Sequence, residues 1–389
     1  MPINLSLLFQ LTFQQFFKSQ QDQLKLSARR RGAMLLWYLV IPVHQLLTLI
    51  CYYLDEIFFP AYRQQEIKAP VFIVGNFRSG STLLQRLLAK DDQFTSMNVA
   101  EIYIAPTITQ RKFWGVLDFL DRTLLGGRGR RYLMTRDRRW LDSIQMHKVG
   151  LFTPDEDEGL LITIWATMFL QFVFPVDNLP PYDRFDEEIP AQERQRIMGF
   201  YRAIIRRHLY CTGGDKIYLA KSPAHTGRIE SLREFFPDAR IIYLARDPLE
   251  LVPSALSFFE YIWDYMGLPD AAKRMQAAML EQIRYWYLYP MERFRHMPHD
   301  SYFILYYNDL IADIPAAVDA LYQWMRSSLS DAFRVEVEQT VVEHLEFRSD
   351  NVYTLEGQGL SSEQIAKEFA EVYQLFQFER HAELIPVAH

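Results

Sequence analysis

Short apolar runs alternate with helical patterns through the middle of this chain of 389 residues. Four of these runs have the length and the β-branched and aromatic composition of buried strands. They are Val71–Val74, Ile217–Ala220, Ile241–Leu244 and Phe303–Tyr306. Because helical patterns separate the runs, the chain is predicted to have an α/β fold, with a parallel sheet flanked by helices.

Helical patterns fill the intervals between the runs. Thr82–Lys90 follows the first run, and Gln192–Leu209 carries apolar residues at helical spacing with arginines on its other face. Helical patterns resume after Asp309, and Ser361-Ser362-Glu363-Gln364 has the form of a capping box at the start of a late helix. The alternation predicts one large domain over 66–389 that ends in a helical region.

A separate helical extension is predicted over residues 1–65, and its second part is strongly apolar. Only Pro42, His44, Gln45 and Thr48 interrupt the run from Ala33 to Leu54. A helix of that length would reach about 33 Å, which is enough to cross a bilayer. Arg29–Arg31 before the run and Asp55-Glu56 after it favour a cytoplasmic N-terminus.

Three interpretations of this extension stay open. The apolar run is a membrane span, a segment that touches the membrane surface, or one arm of a helix hairpin packed on the main domain. In the hairpin, the first helix would run from about Leu5 to Lys18. Pro42-Val43-His44-Gln45 would be costly inside lipid, so we expect a cytoplasmic protein whose extension contacts the cytoplasmic face of a membrane.

The loop after the first apolar run has the composition of an anion-binding site. Gly75 to Gly80 forms a tight polar turn, and Ser81 opens the next helix. Free backbone N–H groups and the helix dipole converge at such a strand–loop–helix junction and attract an anion. The spacing Gly75-x4-Gly80-Ser81-Thr82 is close to that of a nucleotide-binding P-loop, but Ser81 replaces the lysine. Kinases and NTPases use that lysine on the β- and γ-phosphates, so its absence argues against triphosphate chemistry. Arg78 supplies a cation from inside the loop instead.

Polar residues also stand where two later strands would end. Lys221-Ser222-Pro223-Ala224-His225 closes the second run, Arg246 follows the third, and Ser254 lies eight residues further on. In an open parallel sheet, ligands bind at the carboxyl ends of the strands. We therefore expect these residues to face the same cleft as the loop at Arg78.

Together these segments resemble the sulfotransferase superfamily, which transfers sulfuryl groups from 3′-phosphoadenosine 5′-phosphosulfate (PAPS). Phe77–Thr82 is similar to the family's 5′-phosphosulfate loop, usually P-R-S-G-T-T. Lys221–His225 is similar to the K-S-P-x-H segment of a bacterial-type branch related to tyrosylprotein sulfotransferases. Tyr307-Asn308-Asp309-Leu310 and Gly359-Leu360-Ser361 resemble the Y-E-D-L and G-L-S segments of that branch. The resemblance spans roughly Asp55 to Tyr373.

The resemblance implies a PAPS-dependent enzyme that sulfates a hydroxyl group by in-line transfer. It assigns Arg246 and Ser254 to the 3′-phosphate of PAPS, and the loop at Arg78 to the phosphosulfate. The implied donor-binding residues are Arg78, Ser79, Gly80, Ser81, Thr82, Lys221, Arg246 and Ser254. In-line transfer of this kind requires positioning and charge stabilisation rather than a metal, so we expect no catalytic metal ion.

Several residues are candidates for the general base of the predicted site. The branch carries a glutamate a little over twenty residues after the loop, and Glu101 is the matching position, although Ala100 replaces the usual preceding tryptophan. His147 lies where cytosolic sulfotransferases carry a basic histidine, and the acidic pair Glu156 and Glu158 follows it. A positioned carboxylate or imidazole suits general base catalysis. The sequence predicts Glu101 first and His147 second.

The composition of the chain limits the kinds of molecule that it is expected to bind. The net charge of −6 does not favour nucleic acid, and two cysteines provide no disulfide framework. The acceptor site is expected in an insertion at about 105–190, and an aromatic content of 15% favours an apolar or lipid-like alcohol. Seven arginines between positions 122 and 139 would meet anionic headgroups, an acidic acceptor or water. A P-loop nucleotide kinase and an inactive nucleotide-binding scaffold at a membrane are the alternative functions.

Overall fold

Five parallel strands form the centre of the protein. The computed structural model describes residues 3–13, 28–141, 150–174, 179–268, 270–346 and 353–378. The strands are β1 (Val71–Gly75), β2 (Phe94–Thr95), β3 (Ile217–Lys221), β4 (Arg240–Ala245) and β5 (Tyr302–Tyr306). They lie in the order β2-β3-β1-β4-β5, so β1 is central, with β3 on one side and β4 on the other. The predicted α/β fold with a parallel sheet is confirmed.

Seventeen α-helices surround this sheet within the described ranges. The first nine are α1 (Leu5–Phe13), α2 (Ala28–Phe58), α3 (Ser81–Leu88), α4 (Val99–Tyr103), α5 (Ile108–Leu125), α6 (Arg128–Leu141), α7 (Leu170–Val173), α8 (Phe185–Glu188) and α9 (Ala191–Thr212). The remaining eight are α10 (Ile229–Phe235), α11 (Pro248–Tyr265), α12 (Ala271–Phe294), α13 (Tyr307–Ala312), α14 (Ile314–Met325), α15 (Asp331–Glu346), α16 (Ser362–Glu368) and α17 (Ala370–Phe376). Short 3₁₀ helices cover Pro60–Gln64, Asp157–Ile164, Tyr182–Arg184, Pro223–Arg228 and Glu356–Gln358.

The two faces of the sheet belong to two different hydrophobic clusters. Phe72 and Val74 of β1 point into the larger cluster, whereas Val71 and Ile73 point into the smaller one. This alternation follows from the two-residue period of a strand. Because helices cover both faces, every residue of β1 is buried. The strands therefore read in the sequence as continuous apolar runs.

The N-terminal helices pack on this core. Leu7 and Leu11 of α1, and Met34 and Tyr52 of α2, belong to the larger cluster. A buried carboxylate near the end of α2, Asp55, fixes the helix by polar contacts as well. It pairs with Arg207 of α9 at 2.9 Å and accepts hydrogen bonds from the first N–H groups of α5, on Ile108 and Thr109, at 3.0 and 2.8 Å.

The opposite side of α2 is exposed and apolar. Leu35, Leu36, Leu39, Val40, Val43, Leu46 and Leu47 are all exposed. Met34–Phe58 is long and apolar enough to cross a membrane by length and composition, and only 17% of its most apolar window is buried. Arg30 is buried and donates to the carbonyl oxygens of Met266 and Val173, so this arginine faces the protein.

Most predicted elements agree with the structure, and the differences are local. The four predicted strands are present, and the capping box at Ser361 and Gln364 is confirmed. The two-residue strand β2 was not predicted, because a segment that short carries no periodicity. The boundary between 1–65 and 66–389 stays a prediction. Part of the predicted helix from Leu5 to Lys18 lies outside the described residues, and its described part is α1.

Candidate functional site

The loop between β1 and α3 has a backbone that brings it close to other elements. Gly80, the residue before α3, has φ of 91°, and Arg78 has φ of 65°. A Cβ at Gly80 would lie 2.6 Å from the ring of Tyr307, so only glycine fits this approach. The N–H groups of Ser81 and Thr82 open α3 and have no partner within the helix. The loop is therefore built as an anion cradle.

A cavity of about 170 Å³ lies over this loop, at the carboxyl ends of β1, β3 and β4. Its walls combine three cations with backbone and aromatic groups. The lining residues are Phe77, Arg78, Gly80, Ser81, Thr82, Glu156, Lys221, Pro223, Arg246, Phe258 and Tyr307. The structure thus brings together at one cavity the loop, Lys221 and Arg246, which the sequence placed at separate strand ends.

Arg78 is held by residues from the neighbouring strand and helix. Its Nε donates to Ser254 Oγ at 3.1 Å, and its carbonyl oxygen accepts from Arg246 Nη1 at 2.9 Å. Burial is the main reason that the pKa of the Arg78 guanidinium lies below its usual value, and the charge of Arg246 lowers it further. Two cations this close favour the binding of an anion between them. Ser254 lies behind Arg78, and its predicted contact with a 3′-phosphate stays a prediction.

Arg246 lies between an aromatic ring and an acidic side chain. Its guanidinium carbon lies 4.3 Å from the centre of the Tyr307 ring, and its Nε donates to Glu250 one helical turn later at 3.2 Å. Tyr307 also contacts Gly80, so one ring supports both the loop and this arginine. Stacking of this kind orients the planar guanidinium for two-pronged contact with a phosphate.

An ion pair between a buried lysine and a half-buried glutamate also lines the cavity. Lys221 Nζ, at the end of β3, lies 2.6 Å from Glu156 Oε1, and the lysine side chain is only 1% exposed. Glu156 is the acidic residue that lines the cavity among the described residues. Its position beside a lysine and above an anion cradle is that of a group able to accept a proton from a bound hydroxyl.

The two residues after Glu156 anchor it to the segment that follows β3. Asp157 Oδ1 lies 2.9 Å from His225 Nε2, and Glu158 pairs with Arg228 at 2.8 Å. All four of these side chains are buried. Although burial, the largest influence, raises the pKa of Asp157, His225 and hydrogen bonds from two tyrosines bring it below its usual value. Asp157 therefore stays ionised and holds the Glu156 backbone in place.

Thr226 joins the same segment to the start of the loop. Its Oγ1 accepts from Gly75 N at 2.8 Å and donates to Gly75 O at 3.0 Å. The sequence analysis missed Thr226 and Tyr307 as site residues. Tyr307 could have been found from its place at the end of β5 in the Tyr-Asn-Asp-Leu segment. Thr226 carries no local pattern, because its partner lies 151 positions away.

The first candidate base, Glu101, lies in a different environment. It is the third residue of α4, where it forms a capping box with Asn98. Its second oxygen pairs with Arg111 at 2.9 Å, and Arg111 Nη1 lies equally close to His208 Nδ1. Burial, and then the charge of Arg111, holds the pKa of His208 well below its usual value, so this imidazole is neutral at pH 7. Glu101 lines a separate groove beside α5, and His147 lies outside the described residues.

The cavity can position a phosphate-linked group and receive a proton beside it. Arg78, Lys221, Arg246 and the opening N–H groups of α3 are the hydrogen-bond donors, and Glu156 is the acceptor. Within the described ranges, no group of three or more His, Cys, Asp or Glu side chains is arranged to hold a metal ion.

Comparisons with known proteins show what this chain is similar to in sequence and in fold. Residues 70–331 match the sequence profile of the sulfotransferase family. The chain is 24% identical over 333 residues to the omega-hydroxy-beta-dihydromenaquinone-9 sulfotransferase Stf3 of Mycobacterium bovis, covering 80% of this chain and 76% of that protein. The crystal structure of sulfotransferase STF1 from Mycobacterium tuberculosis aligns with a TM-score of 0.66 at 18% identity, covering 91% of this chain and 89% of that one. Sulfotransferase STF9 from Mycobacterium avium gives 0.64 at 20% identity, over 84% and 81% of the two chains.

Proposed function

Because this chain belongs to the sulfotransferase family, we propose that it moves a sulfuryl group from PAPS to the hydroxyl of a lipid-like acceptor. The observation that carries the proposal is the cavity at the strand ends, where Arg78, Lys221 and Arg246 converge on the N-terminus of α3. Three cations and a helix N-terminus suit a donor that carries phosphate and sulfate groups.

The reaction we propose is a single in-line transfer. The acceptor oxygen forms a bond to sulfur while the bond from sulfur to the bridging oxygen of PAPS breaks. The electron pair of that bond stays on the 5′-phosphate of the departing 3′-phosphoadenosine 5′-phosphate (PAP), where Arg78 and the N–H groups of Ser81 and Thr82 stabilise the charge. The hydroxyl proton passes to a carboxylate. The proposal includes no metal ion.

We assign the proton acceptor to Glu156. It lines the 170 Å³ cavity over the loop at Arg78, here named the donor cavity. The two residues that follow it, Asp157 and Glu158, are anchored by buried contacts. Lys221, which pairs with Glu156, lies close enough to the cavity to contact the sulfuryl oxygens as well. Glu101, the base predicted from sequence, is the alternative, although it lines the separate groove and not the cavity at Arg78.

A lipid-like acceptor is supported by the matched relative. The mycobacterial Stf3 protein is named for its action on a hydroxylated dihydromenaquinone. This chain exposes many large apolar side chains on α2, α5 and α6. An apolar or amphipathic alcohol fits such a surface better than a charged glycan does.

The donor assignment is tested by ligand-induced melting shifts. PAP should raise the melting temperature of the full chain more than AMP does, because only PAP carries the 3′-phosphate assigned to Arg246. Arg246→Ala should weaken PAP binding at least about tenfold, since it removes charge-assisted bonds to a phosphate. Isothermal titration measures the affinity directly.

The control for this experiment is Arg295→Ala, an arginine that follows α12 and does not line the cavity. It should leave PAP affinity unchanged. Stabilisation by ATP with magnesium but not by PAP would contradict the proposal in favour of a nucleotide kinase. Unchanged PAP affinity in Arg246→Ala would show that the 3′-phosphate is bound elsewhere.

We also propose that the exposed side of α2 rests on a membrane surface at its cytoplasmic face. One side of α2 packs on the core through Met34, Tyr52 and Asp55, so the helix lies along the protein. Its other side presents a stripe of leucines and valines. A helix with one packed and one apolar exposed side suits interfacial binding.

Substitutions on the exposed side of α2 test this contact. Leu39→Gln together with Leu46→Gln should lower vesicle binding at least about tenfold, because two large side chains no longer enter the apolar layer. Cosedimentation with vesicles that contain anionic lipid measures the effect. Val335→Gln with Val342→Gln on α15 changes two equally exposed residues and should have no effect. Full-length protein that does not bind vesicles at all would refute the membrane contact.

A further inference from the structure

We propose that a groove between α4, α5 and α6 binds the apolar chain of the acceptor, which enters it directly from a lipid bilayer. This inference rests on the proposed function, because it names where the acceptor of that reaction lies. The groove is separate from the donor cavity and shares no lining residue with it.

The groove is large and mostly apolar. Its volume is about 710 Å³, several times the donor cavity's 170 Å³, and it lies within the range of small-molecule sites. Its apolar walls come from α5, α6 and the segments that follow α4 and precede Asp157. The large apolar side chains among its lining residues are Ile104, Trp114, Leu117, Leu133, Leu151 and Phe152. Five of these six are exposed to solvent, so an apolar chain placed here would bury them.

The helices α5 and α6, which build the groove, contact each other as a hairpin, and its α5 arm presents an exposed apolar surface. Along α5, further large apolar side chains are exposed, and only Ile108 and Gln110 of this helix are buried. The exposed ones beyond the groove are Phe113, Val116, Phe119, Leu120, Leu124 and Leu125. A continuous patch of this kind is rare on a soluble monomer and marks an interaction surface.

The charges on the hairpin favour a bilayer as its partner. Five exposed arginines follow the turn between the two helices: Arg128, Arg130, Arg131, Arg136 and Arg138. Basic side chains beside an apolar surface bind anionic lipid headgroups while the apolar side chains enter the layer. α2 contacts α5, and both helices expose large apolar side chains. An acceptor held in the bilayer would therefore meet the groove at the hairpin.

The inner end of the groove lies near the segment that contains Glu156. Glu101 of α4 lines the groove, whereas Tyr103 of the same helix lies against Gly159, and a Cβ there would sit 2.5 Å from the tyrosine oxygen. Gly159 N donates to the carbonyl oxygen of Glu156 at 3.2 Å. One turn of α4 thus separates the groove from the segment of Glu156.

This arrangement divides the acceptor into two parts. Its chain lies against Trp114, Leu117 and Leu133, and its hydroxyl end passes α4 toward Glu156 and the donor. Glu101 and Arg111 stand at this inner end as a polar pair. A polar pair at one end of an apolar groove orients an amphipathic molecule with its hydroxyl inward.

A medium-chain primary alcohol that carries bromine atoms in mid-chain tests the location, because bromine quenches tryptophan fluorescence on contact. The wild-type protein should show saturable quenching, and Trp114→Phe should lose most of it. Trp324 packs on the smaller hydrophobic cluster, away from the groove. Trp324→Phe should therefore leave the quenching unchanged. Saturable quenching that Trp114→Phe does not alter would overturn the proposal.

Kinetics with the same alcohol as acceptor supply the second test. Leu117→Gln and Leu133→Gln should each raise its KM at least about tenfold, because each replaces an apolar wall with a polar one. The affinity for PAP should not change. Val342→Gln, at an exposed position on α15 that is outside both the groove and the hairpin, should leave the KM unchanged. An unchanged KM in both groove variants would contradict the inference.

Failure of the inference and failure of the proposed function give different results. Wild-type protein that neither binds PAP nor transfers sulfuryl groups would refute the function, and the quenching experiment would still decide whether the groove takes an apolar chain. Normal PAP binding and transfer, with quenching and KM insensitive to the groove variants, would refute the groove alone. If Leu124→Gln on the hairpin leaves vesicle binding unchanged and only turns a dimer into a monomer, the surface meets a second copy and the proposal is wrong.

Discussion

Arg78→Ala is expected to lower the rate of sulfuryl transfer by about 10²–10³, the usual effect of removing one donor that stabilises charge in the transition state. Arg78 lines the donor cavity, and Ser254 and Arg246 hold its side chain and its backbone. Its guanidinium is therefore already oriented before the donor binds. The effect is measured as the turnover rate at saturating PAPS, detected by the transfer of radioactive sulfur to the acceptor.

A second arginine with left-handed backbone serves as the matched control. Arg326 has φ of 53°, close to the 65° of Arg78, and it caps α14 outside the donor cavity. Arg326→Ala also places alanine at a residue with positive φ, and it should keep full turnover. Arg78→Lys retains the charge without the two-pronged geometry and should recover part of the rate. If Arg78→Ala keeps more than a small part of wild-type turnover, Arg78 does not stabilise the leaving phosphate.

Glu156→Gln is expected to lower turnover by about 10²–10⁴, the usual contribution of a general base, while PAP affinity changes little. Glutamine keeps the shape of the side chain and can still accept a hydrogen bond from Lys221, but it takes no proton at neutral pH. Loss of the acidic limb of the pH–rate profile in this variant would distinguish a base from a residue that only positions Lys221.

Glu101→Gln is the matched comparison. Its side-chain oxygen can still complete the capping box with Asn98, so the fold of α4 should be preserved. If Glu156 is the base, this variant should keep its rate within a few-fold of wild type. A large loss in Glu101→Gln, with an active Glu156→Gln, would instead establish the base that the sequence predicts. Loss of activity in His147→Asn alone would assign the role to the histidine.

The donor side of the site could be predicted from the sequence because each part of it is local. A buried strand, a glycine-bounded turn and the start of a helix lie within Val71–Leu88, and each follows from neighbouring residues. Lys221 and Arg246 could be placed beside the loop, since the strands they follow are parallel and end at one edge. The four apolar runs were recognisable for the same reason: burial on both faces leaves no polar residue within them.

The acceptor side could not be predicted in this way, because its contacts join distant parts of the chain. Glu156 reaches the cavity only because Asp157 and Glu158 pair with His225 and Arg228, in a segment far along the sequence. Nothing in the local pattern distinguishes Glu156 from the other carboxylates in its acidic run. Glu101 matched the expected spacing, yet the capping box of α4 and the pair with Arg111 hold it at the groove.

The sequence by itself determined the α/β fold, the anion-binding loop and the cations that face it, because strand burial, turn geometry and helix termini depend on neighbouring residues. Only the tertiary structure decided which carboxylate lines the donor cavity and which lines the groove. It also decided that α2 packs one side on the core, with Asp55 paired to Arg207, while its other side remains apolar and exposed. These outcomes depend on packing between elements far apart in the chain, which a periodic pattern does not encode.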